Sequence, residues 1–231
     1  MSMVLIPGFM LDNTLWGAFE HQLPAEWPTY YSPLTGGTTV PEIARHNIVH
    51  LPERFVVVGF SLGAYIARQI AADYPERVMA LVIIASSPRE DSPEMVKGKQ
   101  FLVNAYTSDS FKGLSSGAII ASLHPRHEQN TALVTQIKEM GSRLGYEALV
   151  TQCGLSRAGV PASSIQCPTL VVAAENDALR LLEESRELAA AIPNATLQII
   201  GESGHMLPLE KPQELAGVIM RWLQEQVVMR Y

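Results

Sequence analysis

Phe55-Val56-Val57-Val58-Gly59-Phe60-Ser61-Leu62-Gly63-Ala64 is the stretch whose reading decides the fold. Phe55 to Val58 is a β-branched apolar run without polar alternation, the pattern of a central strand buried on both faces. Ala64 to Ala72 is rich in small residues and helical, ending near Tyr74-Pro75. Gly59 to Gly63 must therefore turn the chain from strand to helix. Met79 to Ala85 is a second buried strand, stopped by Ser86-Ser87-Pro88. Strand, helix and strand in succession imply a parallel sheet covered on both faces.

The same rhythm extends outward. Val4 to Ile6 is a short strand stopped by Pro7-Gly8, and Asp12 to Leu23 is helical, with Trp16 and Phe19 one turn apart. Thr29 to Ser32 reads as a strand before the turn at Thr35-Gly36-Gly37. Val40 to Leu51 reads as a helix with Pro41 in its first turn. After Cys167-Pro168 come a strand at Thr169–Ala173, a helix at Leu181–Ile192 and a strand at Ala195–Ile200. A last helix, Pro212 to Val228, carries Leu215, Ile219, Trp222 and Leu223 on one face. Between Arg89 and Ser164 no buried strand is legible; Asn130–Arg143 and Tyr146–Arg157 are the best helices. The expected organisation is an α/β core from residues 1–88 and 164–231, with residues 89–163 a helical cap, or lid, over the sheet.

Composition narrows the function classes. The 231 residues are 47% hydrophobic and 17% charged, with a formal net charge of -6. That length fills one α/β domain. An acidic, mixed surface argues against nucleic acid or an anionic membrane as partner. Cys153 and Cys167 do not make a disulfide framework and read as reduced, structural thiols. No cysteine–histidine cluster has metal-ligand spacing, so no metal is expected; no organic cofactor is expected either. The N-terminal segment lacks a basic n-region, and no segment approaches the roughly 20 apolar residues of a membrane span. The expected location is cytoplasmic.

Gly59-Phe60-Ser61-Leu62-Gly63 fits G-x-S-x-G. The pattern alone is weak, but here it joins a buried strand to a helix, the placement of a nucleophile elbow. A serine hydroxyl needs a base to take its proton. His21, His46 and His50 fall in helices of the N-terminal half, and His124 and His127 in the proposed lid. His205 follows the last strand in Gly201-Glu202-Ser203-Gly204-His205-Met206, at the edge of the sheet where catalytic groups gather. The acid that orients the histidine should lie between serine and histidine in the chain. Asp177 follows the Thr169–Ala173 strand and is the choice. Glu175 is the near alternative, and Glu90 or Asp91 a second. An oxyanion needs preorganised N–H donors. Those chosen are Leu62, at the helix start, and Phe9, in the loop after the first strand; Met10 is the fallback. Phe9, Met10, Phe60 and Leu62 suggest an apolar pocket, with Met10 and Phe60 as its substrate-contacting residues. Arg126, between His124 and His127, reads as a surface residue, and no basic cluster in the lid marks a clamp for a highly charged substrate.

On these motifs the sequence resembles the α/β-hydrolase superfamily over essentially its whole length, and most closely its small bacterial esterase and lactonase-type members with a helical cap. The resemblance rests on Val4-Leu5-Ile6-Pro7-Gly8-Phe9, on Val58-Gly59-Phe60-Ser61-Leu62-Gly63, and on Gly204-His205-Met206 with Asp177 upstream. Pro75-Glu76-Arg77-Val78, Pro168-Thr169-Leu170 and Leu209-Glu210-Lys211-Pro212 add to it. Many relatives have His-Gly where this chain has Pro7-Gly8. The first two strands common in the family have no counterpart here, so the mostly parallel sheet should have about six strands. The resemblance implies a serine hydrolase acting on a small-molecule ester through an acyl-enzyme. The preferred reading is a carboxylesterase on small apolar esters. Lactonase, carbon–carbon bond hydrolase and thioesterase chemistry use the same parts, and a non-catalytic binding protein of this fold is the remote alternative.

Overall fold

The computed structural model describes residues 1–226 and contains one six-stranded sheet. Its strands are β1 (Met3–Ile6), β2 (Thr29–Tyr31), β3 (Phe55–Phe60), β4 (Val78–Ile84), β5 (Thr169–Ala174) and β6 (Ala195–Ile200). They run in the order β2-β1-β3-β4-β5-β6, and every neighbouring pair is parallel. All C-terminal strand ends therefore lie along one edge. The chain steps one way from β1 to β2 and then back across β1 to β3. The β1/β3 boundary is the switch point at which such sheets open a crevice.

The continuous apolar runs of β1, β3 and β5 have the reason the sequence suggests: every residue in them is buried. Alternate residues feed two cores. Leu5, Val58, Val82 and Val172 point to one face and pack with Phe19 of α1 (Gly17–Glu20) and with Leu215, Ile219 and Leu223 of α9 (Pro212–Gln226). Val4, Val57, Leu81 and Val171 point to the other. There they meet α2 (Val40–Ile48), α3 (Leu62–Asp73) and α7 (Leu182–Ala191) through Ile43, Ile66 and Leu188. Helices thus cover both faces, as the buried strands require. The helix read from Asp12 to Leu23 is a 3-10 turn, Asn13–Trp16, followed by the short α1. Val227 and Val228, the end of the expected last helix, lie outside the described residues.

Three longer helices stand between β4 and β5: α4 (Pro93–Asn104), α5 (Ser116–Ser122) and α6 (Thr131–Gly154). Side chains of Ser92, Ser115 and Asn130 cap their first turns. α6 is interrupted at Gly145, whose φ of 79° breaks the helix where the sequence separates two segments. The chain returns to the sheet past α3, where buried Arg68 donates to the carbonyls of Ser87, Val160 and Pro161. Burial pulls that guanidinium down to about 10. Arg77 donates to the carbonyls of Ile48, Leu51, Pro52 and Glu53, satisfying groups left open after α2. A short helix, α8 (Leu207–Glu210), precedes α9.

The turn between β3 and α3 is tighter than the expected five-residue loop. Phe60 still belongs to the strand and Leu62 already to the helix, so Ser61 alone makes the junction. A Cβ on Gly59 would lie 2.5 Å from Ala64 Cα, and one on Gly63 would lie 2.3 Å from the Pro7 carbonyl oxygen. Both neighbours are backbone and have no room to yield. Gly63→Ala should lower unfolding stability by about 1–3 kcal/mol, the usual cost of overpacking. Gly217→Ala, in a helix with open space at Cβ, should raise it by up to about 1 kcal/mol. Urea unfolding of the two variants checks the contrast.

Candidate active site

Ser61 sits at φ 50° and ψ -112°, a conformation that non-glycine residues rarely adopt. Its backbone is held there from both sides. The Ser61 N–H donates to the Ile84 carbonyl at 2.8 Å, and the Ser86 hydroxyl donates to the Ser61 carbonyl at 3.1 Å. The strain lifts the side chain off the sheet edge at the start of α3, which is the use such outliers commonly have.

Three sequence-selected side chains meet there. His205 Nε2 lies 2.9 Å from Ser61 Oγ, and His205 Nδ1 lies 2.8 Å from Asp177 Oδ2. With a carboxylate facing Nδ1, that nitrogen carries the proton, and Nε2 presents its lone pair to the hydroxyl. The other oxygen of Asp177 accepts the backbone N–H groups of Leu179 and Arg180, each at 2.8 Å. The carboxylate is thereby fixed before it meets the ring. The Asp177 and His205 side chains are only 1% and 7% exposed, which strengthens their interaction. The Phe60 ring packs beside the imidazole at 5.2 Å between centroids.

The alternative acids face elsewhere. Glu175 is exposed and accepts the Glu202 N–H. Asp91 pairs with Lys99 and Arg157, and Glu90 is exposed. Of the other histidines, His46 and His50 contact each other on the surface, while Arg126 lies beside His127 and pairs with Glu202.

Leu62 opens α3, so its N–H has no partner within the helix. The Phe9 N–H has no hydrogen-bond partner among the described residues. Gly63 presses against Ile6 and Pro7, so the loop carrying Phe9 lies against the start of the same helix. Met10 differs from expectation. Its N–H donates to Gln152 Oε1 at 2.8 Å, which removes it as a free donor. Its side chain is fully buried with Phe111 and Leu149 and does not line the cavity over Ser61. Its φ is 54°, in the left-handed region. Gln152 on α6, which the sequence does not mark, thus holds the loop that bears Phe9.

A second residue, singled out by the sequence only within Leu209-Glu210-Lys211-Pro212, holds the histidine. The Glu210 carboxylate accepts the N–H groups of His124, Gly204 and Met206 at 2.9 to 3.1 Å. The His205 N–H itself donates to the Ser122 carbonyl at the end of α5. A Cβ on Gly204 would lie 2.3 Å from the His124 nitrogen, so glycine lets the two segments close. The inserted helices are tied directly to the loop that carries His205.

A cavity of about 360 Å³ opens above Ser61 and His205. Phe9, Phe60, Leu102, Leu114 and Ile119 give it apolar walls. It is not uniformly apolar: Lys99, Arg157 and Arg180 also line it. They come from distant segments, so no basic cluster is legible along the chain. Among the described residues no group of three or more His, Cys, Asp or Glu side chains is placed to hold a metal ion, and no helix is long and apolar enough to cross a membrane. Cys153 and Cys167 are free thiols, and burial pushes the latter up to about 11.

Residues 50–212 match the family model of the alpha/beta hydrolase fold, and the chain belongs to that family. It is 26% identical to a pimeloyl-[acyl-carrier protein] methyl ester esterase of Citrobacter koseri, over 96% of this chain and 94% of that protein. It is 31% identical to a poly(3-hydroxyalkanoate) depolymerase of Ectopseudomonas oleovorans, over 74% of this chain and 61% of the depolymerase. Among solved structures, an esterase from Thermogutta terrifontis, with malate bound, superposes with a TM-score of 0.83 at 24% identity, covering 97% of this chain and 90% of that one. The enol-lactonase from Burkholderia xenovorans LB400 superposes with a TM-score of 0.84 at 17% identity, covering 96% and 91%.

Glu210→Gln turns one acceptor into an NH2 group that faces backbone N–H donors. The variant should lose about 1–3 kcal/mol of stability, the cost of leaving a buried donor unsatisfied. Thermal unfolding measured against wild type checks this.

Proposed function

We propose that the protein is a serine hydrolase that cleaves carboxylic esters. The observation that carries the reading is the unbroken hydrogen-bonded line from Asp177 through His205 to Ser61, with Ser61 held in a strained turn at the mouth of a cavity. The methyl ester esterase among the relatives supports the bond type. The cavity volume suits an ester of small or medium size.

The chemistry follows from the geometry. Ser61 Oγ attacks the ester carbonyl carbon while His205 Nε2 takes its proton. Asp177, fixed by two backbone N–H groups, stabilises the imidazolium and does not take the proton itself. The Phe9 and Leu62 N–H groups receive the negative oxygen of the tetrahedral intermediate. Collapse breaks the bond to the alcohol oxygen, and His205 returns the proton to the departing alkoxide. Water, deprotonated by His205, then attacks the acyl-serine; collapse breaks the bond to Ser61 Oγ, which takes the proton back from His205, and the acid leaves. Residues 89–163 act in this reading as the cap that roofs the cavity, with residues 1–88 and 164–231 as the core.

A p-nitrophenyl ester series from acetate to decanoate, run on wild type, Ser61→Ala, His205→Ala and the double variant, tests the reading. Each single change should remove most turnover, and the double should be little worse, because the residues act as one unit. Asp177→Asn should keep the fold and lower kcat by as much as about 10⁴-fold. Turnover that survives Ser61→Ala would refute the assignment.

A further inference from the structure

The cavity over Ser61 has a cationic side. Lys99, Arg157 and Arg180 line it. Asp91 serves two of them, at 2.5 Å from Lys99 Nζ and 3.0 Å from Arg157 Nη1. Glu184 faces the third, but its 3.6 Å approach to Arg180 is longer than a hydrogen bond, and its other oxygen accepts the Leu181 N–H. Asp177 is committed to His205 and to the backbone of Leu179 and Arg180. Glu90 belongs to a second cavity, of about 520 Å³, and is exposed to solvent. Lys99 and Arg157 form the wall between the two cavities.

Arg157 has Asp91 and Tyr65 against it, yet its donors are not used up. Its side chain is 10% exposed and its guanidinium lies over the Tyr65 ring, 5.3 Å from the centroid. Neither Nε nor Nη1 makes a hydrogen bond of good geometry, the Asp91 contact included. Burial, and then the charge of Arg180, pull this guanidinium below its ordinary pKa, while Tyr65 and Asp91 oppose the shift. A guanidinium stays charged even so. Two guanidinium groups lining one cavity favour an anion there. Guanidinium N–H groups suit a carboxylate, which takes two of them side by side.

Arg180 also has a fixed relation to Ser61. Asp177 accepts the Arg180 N–H, so the carboxylate that meets His205 also sets the backbone of Arg180. We propose that Arg157 and Arg180 form a carboxylate subsite in the Ser61 cavity, and that the ester cleaved there carries a free carboxylate. The proposal rests on reading Ser61 as the nucleophile, because that reading makes the cavity the substrate cavity.

The test compares monomethyl with dimethyl esters of the C4 to C8 dicarboxylic acids. For the alcohol side it compares acetates of ω-hydroxy acids with acetates of the matching alkanols. Wild type should prefer one carboxylate-bearing series over its neutral partner by at least about tenfold in kcat/KM, the value of a charge-assisted hydrogen bond. Arg180→Gln should bring that ratio close to one, and Arg180→Lys should restore part of it. Equal turnover of charged and neutral esters by wild type overturns the subsite and leaves the esterase reading standing. If no ester is turned over, the esterase reading fails, and calorimetry decides the subsite separately. Ser61→Ala should bind the monoester at least tenfold more tightly than the diester, and adding Arg180→Gln should abolish the difference. Equal binding, or none, overturns the proposal.

Discussion

At Ser61 the chain passes from a fully buried strand to a helix with no residue to spare, and much of the molecule exists to hold that corner. The neighbouring strand grips its backbone at Ile84 and Ser86. Gly59 lets α3 close against β3, and Gly63 lets α3 close against the end of β1. These contacts bring Phe9, Leu62 and the hydroxyl of Ser61 to one point on the sheet edge. A left-handed φ at a residue with a side chain costs roughly 1–3 kcal/mol, so it persists only because the parallel pairing on both sides of β3 over-determines it.

The sheet edge organises the rest. Because all six strands are parallel, the loops after β1, β3, β5 and β6 open on the same side. Phe9, Ser61, Asp177 and His205 lie one on each. Their separation along the chain has no bearing on their meeting in space. The helices between β4 and β5 also hold the loops that carry these residues. α6 supplies Gln152, which binds the Met10 N–H, and the end of α5 supplies the carbonyl that accepts the His205 N–H. Glu210 fastens both sides of that contact through three backbone N–H groups.

The order of strands and helices was legible because fully buried strands read as unbroken apolar runs. β3 and β5 fall within a residue or two of their expected bounds. Ser61, Asp177 and His205 were legible because strand ends, glycines and chain order restrict where such groups can stand. α4 was not legible: none of its residues is buried, so it lacks a marked apolar stripe, and only Ser92-Pro93-Glu94 signals its start. Met10 was misplaced as a pocket residue because a side chain's direction after a strand end depends on φ, which the sequence leaves open. Lys99, Arg157 and Arg180 were missed as a group because they gather only through packing. Glu210 stands out in the sequence only as part of Leu209-Glu210-Lys211-Pro212, and its three donors come from two loops that only the fold brings together.

The central claim is that Ser61 is a nucleophile activated by His205. Mass spectrometry of the protein after brief exposure to a fluorophosphonate tests it most directly. The account predicts one covalent adduct, on the peptide containing Ser61, at a rate that falls sharply in His205→Ala. An unlabelled protein, or labelling that is unchanged by loss of His205, would contradict it.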